Sequence, residues 1–383
     1  RGHRVTLASF VRESERQYLA ALQPYCAAIH AVPLRRSRLA DARDYVESLR
    51  APMPFLIRRD ALPEMNQLID RLTRAQPFDI VHADQLTMGQ FASQFQISNF
   101  KFQIEARKRP AVILDAHNAV WTIVERARQN ALLPLRPLLA GEARKLKRYE
   151  GALCRQMDAV LAVSETDRQN LLTAGARADN LHVIPIAVDC EQLQPVTLQP
   201  DSNNIVSMGT LYYPPNADGV RWFLRDVFPL IRKSCSDSTL TIIGPRPPND
   251  IVQFAIRNSQ IATLTGYVPD LLPYLERAAL MVVPVRAASG MRVRILEALA
   301  RGIPIVTTTT GVEGIDAIHD EHLLIADEPS AFAACVARLL NDFALRERLA
   351  RNGRRFVTAK YDWQVVLPAV ESVYHSLLNR QTV

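Results

Sequence analysis

Apolar and polar positions follow two rhythms along this chain. Short apolar runs of strand length recur at Val5–Ala8, Ala27–Val32, Ile80–Ala83, Ala111–Leu114, Ala159–Val163 and His182–Ile186. Between them lie longer stretches with helical spacing, including Leu62–Ala75, Val120–Gln129 and a basic one from about Leu138 to Met157. Alternation of this kind predicts parallel strands joined by crossover helices. Cys190 to Asn204 is polar and contains proline, and reads as a linker. The rhythm then repeats more cleanly, with strands at Ile205–Met208, Leu240–Ile243, Ile261–Thr265, Leu280–Val285, Ile303–Val306 and His322–Ala326. Asn216 is placed to cap a helix through Val220, Phe223, Val227 and Leu230. Helices from Pro329 to Leu340, Ala344 to Ala359 and Trp363 to Leu378 close the chain. The fold class is α/β, in two domains.

One stretch of the second half, Ala279 to Thr310, reads as a complete βαβ unit. A small-residue loop follows its first strand, Ser289 is placed to cap the helix, and Gly302 stands where a left-handed residue would end it. The loop before such a helix aims backbone N–H groups and a positive dipole end beyond the sheet edge, where a phosphate binds well. Arg294 adds charge there, and Glu297 follows on the same face.

Composition narrows the class. Of 383 residues, 48% are apolar and 22% charged, as in a globular protein, and the length favours two cores over one. The net charge of +7 is uneven, with Arg126, Arg128, Arg136, Arg144, Lys145, Lys147 and Arg148 close together. That cluster is either a solvated helix face or an attraction to anionic lipid or a phosphorylated substrate. No nucleic-acid motif accompanies it. Five scattered cysteines offer neither a disulfide framework nor a zinc spacing, and a reducing cytoplasm fits them. No apolar run reaches the roughly eighteen residues of a membrane span, so any membrane contact is expected to be peripheral. Arg1-Gly2-His3 leads straight into a strand, and an earlier piece of the first domain is expected ahead of it.

Neither G-x-G-x-x-G after the first strand nor a P-loop is present, which removes the main support for a nicotinamide enzyme or a P-loop NTPase. Single glycines stand at strand ends instead: Gly209, Gly244, Gly266 and Gly290. Each alone is a turn glycine. Four on one side of a parallel sheet mark the edge where such sheets bind ligands. Glu297 is either a surface carboxylate paired with Arg301 or Arg294, or an acceptor for a ribose diol with Arg294 offsetting a diphosphate. His117, just past a strand, is either satisfied by a nearby carbonyl or faces a cleft to touch a sugar.

The strings Met208-Gly209-Thr210 with Pro215-Asn216-Ala217-Asp218, Ile242-Ile243-Gly244, Thr265-Gly266-Tyr267-Val268-Pro269-Asp270 and Ser289 to Val306 resemble the retaining glycosyltransferases of family four, of GT-B fold. Weaker echoes are Asp79-Ile80-Val81-His82, Leu114-Asp115-Ala116-His117-Asn118 and Tyr361-Asp362-Trp363. The resemblance implies two Rossmann-like domains facing a cleft. The acceptor domain would span 1–190, lack its first strand and glycine-rich loop, and be completed by 363–383. The donor domain would span 201–362. It further implies that a sugar moves from a nucleotide-sugar donor to an acceptor hydroxyl, in synthesis of cell-surface polysaccharide or glycoconjugate. Glu297 would hold the donor ribose and His117 would reach the donor sugar. Arg294, Arg286, Ser289, Gly290 and Met291 would lie against diphosphate and sugar. Gly209, Thr210 and Gly244 would line the facing wall, and Tyr267 and Val268 would border the base. No metal and no cofactor are implied, and the acceptor would be a glycan, a lipid-linked or a small molecule. The chain departs from the family at Ser289, where a second glutamate is usual, and at Thr210, where an arginine is usual. Two other readings are a sugar-nucleotide epimerase on the same scaffold and a catalytically weak nucleotide-sugar-binding subunit.

Overall fold

The computed structural model describes residues 2–96, 109–287 and 290–380. The chain divides into two compact units. Unit 1 comprises Arg1–Leu161, Gln169–His182 and Val373–Val383, and unit 2 comprises Ala162–Arg168 and Val183–Ser372. The final helix, Trp363–Arg380, therefore begins in one unit and ends in the other.

In unit 1, β1 (Thr6–Val11) and β2 (Ala28–Pro33) form one parallel pair. A separate sheet runs β3 (Ile80–Asp84), β4 (Ala111–Ala116), β5 (Ala159–Ala162) and β6 (Leu181–Val183), in that order. β5 is buried at every position and β4 at all but Asp115, as strands covered on both faces must be. The helix Arg136–Gln156 sends Leu146, Leu153 and Cys154 into this core.

Unit 2 is a six-stranded sheet in the order β12-β11-β10-β7-β8-β9. These strands are β7 (Asn204–Met208), β8 (Thr239–Ile243), β9 (Ala262–Gly266), β10 (Leu280–Val283), β11 (Ile305–Thr307) and β12 (Leu324–Ile325). The chain begins at the central β7, winds outward through β8 and β9, then returns to β10 on the other side of β7. The winding reverses between β7 and β10, and open sheets of this kind bind ligands beyond the C-terminal strand ends at such a point. β10 and β11 are wholly buried.

Several boundaries differ from the sequence pattern. The helix expected from Ser289 spans Val293–Ala300, with Arg292 extended at φ −96° ahead of it. Gly290, at φ +82°, turns the chain first, and Arg292 bonds its carbonyl. Gly302 ends the helix in the left-handed conformation, as expected, at φ +68°. Asn216 is not a cap: the helix Pro214–Trp222 starts ahead of it, on two prolines whose missing N–H groups cost nothing in a first turn. The polar linker is tied down. Arg346 donates to the carbonyls of Gln199, Pro200 and Ser202, and Arg354 to those of Cys190, Leu193 and Ala300. Both arginines project from the helix Phe343–Lys360, so the irregular passage has its backbone acceptors satisfied by fixed donors.

Candidate functional site

Steric need, and not turn geometry alone, selects Gly209 and Gly244 at the edge of the unit 2 sheet. Gly209 follows β7 and donates to the carbonyl of Ile243, and Gly244 follows β8 and donates to that of Gly266. A Cβ on Gly244 would sit 2.0 Å from the Gly209 carbonyl oxygen, and one on Gly209 would sit 2.6 Å from Arg294 Nη1. Gly266 stands at φ +73°, which a side chain would strain. The turns after β7 and β8 thus leave no room for a side chain between them, whereas Gly266 is held by its backbone conformation alone.

Arg294 fills the space that Gly209 leaves. One Nη donates to Asn216 Oδ1 at 3.0 Å, while Nε is buried without a partner. Burial, helped by the neighbouring Arg292 charge, pushes its pKa down to about 10. A desolvated cation with an idle donor and no carboxylate in ion-pair range, among the described residues, is arranged to receive an anion. Glu297 lies three residues further along the same helix face. Neither Arg294 nor Arg301 forms an ion pair with it among the described contacts, and burial raises its pKa, with Arg301 partly offsetting this. The surface-pair reading of Glu297 therefore finds no partner in this structure.

The other expected residues are placed as follows. Arg286 is held by Asp218 at 3.0 Å over the Trp222 ring, so its charge is already neutralised. The Thr210 carbonyl accepts from Asn216 Nδ2, which aligns the loop after β7 with Arg294. Tyr267 is 69% exposed, while Val268 packs against the core. Met291 is buried beside Gly314, where a Cβ would meet its Cγ at 2.9 Å. Ser289 lies outside the described residues.

In unit 1 the ends of two adjacent strands bring acidic and imidazole groups together. Asp84 and Asp115 are register partners at the ends of β3 and β4, and His117 follows β4. His117 Nε2 lies 2.6 Å from Asp84 Oδ1 and 3.9 Å from Asp115 Oδ1. The partner of this histidine is a carboxylate, not a carbonyl. The Asp84 hydrogen bond raises the His117 pKa against its partial burial, and the same bond lowers that of Asp84. His82 extends the group, 3.5 Å from Asp115 and 2.8 Å from the Tyr374 hydroxyl. Gln85, next to Asp84, stands at φ +73° and ψ 158°, a region costly for any side chain and concentrated at functional sites. Asp84, Asp115 and His117 offer ligand atoms within 4.8 Å of one another, a spacing that a divalent cation accepts. The His117–Asp84 hydrogen bond runs through the same group. Sequence reasoning missed Asp84 and gave Asn216 only as a helix cap. The signal available for Asp84 was its place at the C-terminal end of an apolar strand.

Two family descriptions match this chain: "Glycosyltransferase Family 4" over residues 1–192 and "Glycosyl transferases group 1" over residues 202–342. The chain belongs to Glycosyltransferase Family 4. Among curated relatives of this family-four chain, a glycogen synthase of Mycobacterium tuberculosis is 27% identical over 247 residues, covering 58% of each chain. The capsular polysaccharide biosynthesis glycosyltransferase CapM of Staphylococcus aureus is 22% identical, over 57% of this chain and 62% of its own. The chain spans about half the length of the curated relatives it matches. A sucrose-phosphate synthase from Thermosynechococcus elongatus superposes with a TM-score of 0.68 at 16% identity, covering 98% of this chain and 100% of its own. HepE from Anabaena, solved in complex with UDP, gives 0.66 at 12% identity, over 96% and 91%. The fold is GT-B.

Proposed function

We propose that this family-four protein is a retaining glycosyltransferase that moves a sugar from a nucleoside-diphosphate donor to an acceptor hydroxyl. The carrying observation is the desolvated, incompletely paired Arg294 beside the unpaired Glu297, where the unit 2 sheet reverses its winding. In this reading the guanidinium and the loop amides from Gly290 onward take the donor diphosphate. The Glu297 carboxylate accepts both ribose hydroxyls, and Tyr267 and Val268 border the base. Asn216 stands in for the cation that the family usually places in the loop after β7, by aiming Arg294 at the same charge. Arg286 contributes less, because Asp218 already holds it. His117, protonated and oriented by Asp84, acts on the donor sugar from the first domain. Charge developing on the leaving diphosphate falls next to a preorganised cation, so no metal or cofactor is required of the donor domain.

Relatives named as transferases and synthases favour transfer over epimerisation. CapM, named for capsular polysaccharide biosynthesis, favours a glycan product. The acceptor would be a glycan, a lipid-linked sugar or a small molecule, handled in the cytoplasm. A lipid-linked acceptor would suit the basic region 126–148, where Leu132 and Leu133 are 75% and 74% exposed beside Arg136. Among the described residues no helix is long and apolar enough to cross a membrane.

The test is calorimetric titration with UDP-, GDP- and ADP-sugars, followed by product analysis with and without acceptor. Saturable binding of one nucleotide sugar and acceptor-dependent transfer with retained anomeric configuration is the expected result. Turnover of the donor without acceptor to an epimer, or binding with neither transfer nor hydrolysis, would overturn it.

A further inference from the structure

One cation on the ligand-binding edge of unit 2 has no role in the site so far. The loop after β8 reads Gly244-Pro245-Arg246-Pro247-Pro248, and Arg246 stands in it at φ +50°. Left-handed backbone is unfavourable for a residue with a Cβ, and a following proline pushes its predecessor toward extended backbone instead. Arg246 defies both. A glycine would hold the same turn without strain, so the turn by itself does not ask for an arginine.

The strained loop holds the guanidinium in one place. Its Cζ lies 3.8 Å from the centroid of the Tyr212 ring, in the loop after β7. Leu211, beside Tyr212, is buried, and a Cβ on Gly244 would meet its Cγ at 2.8 Å, so the two loops touch at their roots. Arg246 is exposed and Tyr212 is 54% exposed, which leaves the pair open to a ligand. Arg246 forms no ion pair among the described residues: Asp250, four positions on, has both carboxylate oxygens taken by Arg221. Stacking uses the face of a guanidinium and leaves the N–H donors at its edge for something else.

We infer, resting on the nucleotide-donor reading proposed for this site, that Arg246 reads the donor base and selects guanine. That reading sets the diphosphate at Arg294 and the base at Tyr267. In the strand order β10-β7-β8-β9, Arg294 leans against the exit of β7 and Tyr267 follows β9, so a nucleotide joining them crosses the exit of β8. Gly244 donates to the Gly266 carbonyl at 2.9 Å, which sets the Arg246 loop directly beside the Tyr267 turn. A guanidinium offers donors only, in a planar fork. Guanine presents two adjacent acceptors, O6 and N7, which such a fork bonds together. Adenine sets an N6 donor beside its N7, and uracil has the single O4 acceptor on that edge. The Tyr212 ring keeps the fork in one plane, as two parallel bonds to one base edge require.

Calorimetric titration with GDP, 7-deaza-GDP, UDP and ADP tests this on the wild type, Arg246→Gly and Arg246→Lys. The wild type should bind GDP about tenfold more tightly than the other three, the discrimination of one good bidentate pair. Arg246→Gly should bring GDP down to the level of the others and leave those unchanged. Its melting temperature should hold or rise, because glycine adopts the left-handed turn freely. Arg246→Lys keeps the charge without the fork and should lose the preference for GDP as well. Equal weakening of all four nucleotides would overturn the inference by making Arg246 a phosphate contact. So would variants that bind as the wild type does, or a wild-type preference for uracil or adenine. Equal binding of all four that Glu297→Ala abolishes would overturn the base-reading role and leave the donor reading standing. Binding of none by the wild type would overturn both.

Discussion

The Arg294 guanidinium reports the most about this protein, because a buried cation is retained only when something compensates it. Removing it by Arg294→Met should weaken nucleotide-sugar binding by about 1.5–3 kcal/mol, the scale of a hydrogen bond to a charged group. The melting temperature should hold or rise, since no carboxylate is left stranded. Glu297→Ala should lose binding on the same scale, read by calorimetry. Its pH dependence follows from burial, which holds the carboxyl above the ordinary range. If the carboxylate form accepts the ribose hydroxyls, affinity falls as pH drops through that raised value, and Glu297→Gln flattens the profile. The His117–Asp84 pair titrates at both ends. The histidine, raised, contributes stability fully below its unfolded pKa of about 6.5 and loses it as pH rises through the folded value. The aspartate, lowered, contributes fully above about 3.9 and loses it as pH falls through its folded value. The pair is therefore complete between roughly pH 4 and 6.5. Asp84→Asn should move the NMR titration of the His117 ring to lower pH and shift the alkaline-side limb of the turnover profile with it. A titration that stays in place would refute the positioning role of Asp84.

Elements act here through how closely their ends approach. Gly209→Ala places its Cβ against the tip of Arg294, and a side chain swings aside more cheaply than a backbone moves. Gly244→Ala places its Cβ 2.0 Å from the Gly209 carbonyl, which only a shift of two strand ends relieves. The first should therefore keep its melting temperature within a few degrees while losing nucleotide affinity. The second should lose both, and calorimetric titration beside thermal unfolding separates them. The helix Phe343–Lys360 shows the same logic for the linker. Arg346→Ala strands three carbonyls around a residue that is 1% exposed, and should cost about 2–4 kcal/mol of unit 2 stability in urea unfolding. The sequence marked the glycines and the polar linker but not these contacts. Neither residue spacing nor polarity encodes which carbonyl a distant arginine will reach.

The whole molecule carries a net charge of +7, concentrated in the region 126–148 together with exposed leucines. Sedimentation with vesicles should show binding to phosphatidylglycerol-containing membranes and not to neutral ones, weakening as salt rises past about 0.15 M. The double substitution Leu132→Ser with Leu133→Ser should reduce it severalfold. Binding that ignores both salt and these leucines would remove the membrane from the account. The sequence by itself determined the α/β class, nearly all the strands and the edge on which ligands are expected, because buried parallel strands must be apolar throughout and their exits must turn. It also marked Glu297, Arg294 and His117. It could not decide which cation would be left incompletely paired, since that depends on Asp218 reaching Arg286 across 68 positions and Asn216 reaching Arg294 across 78. Nor could it pair His117 with Asp84, two residues 33 positions apart at strand ends that meet only in a common sheet. Local pattern is fixed by the chain's own neighbours, whereas charge pairing and desolvation are set by distances that exist only once the sheets have formed.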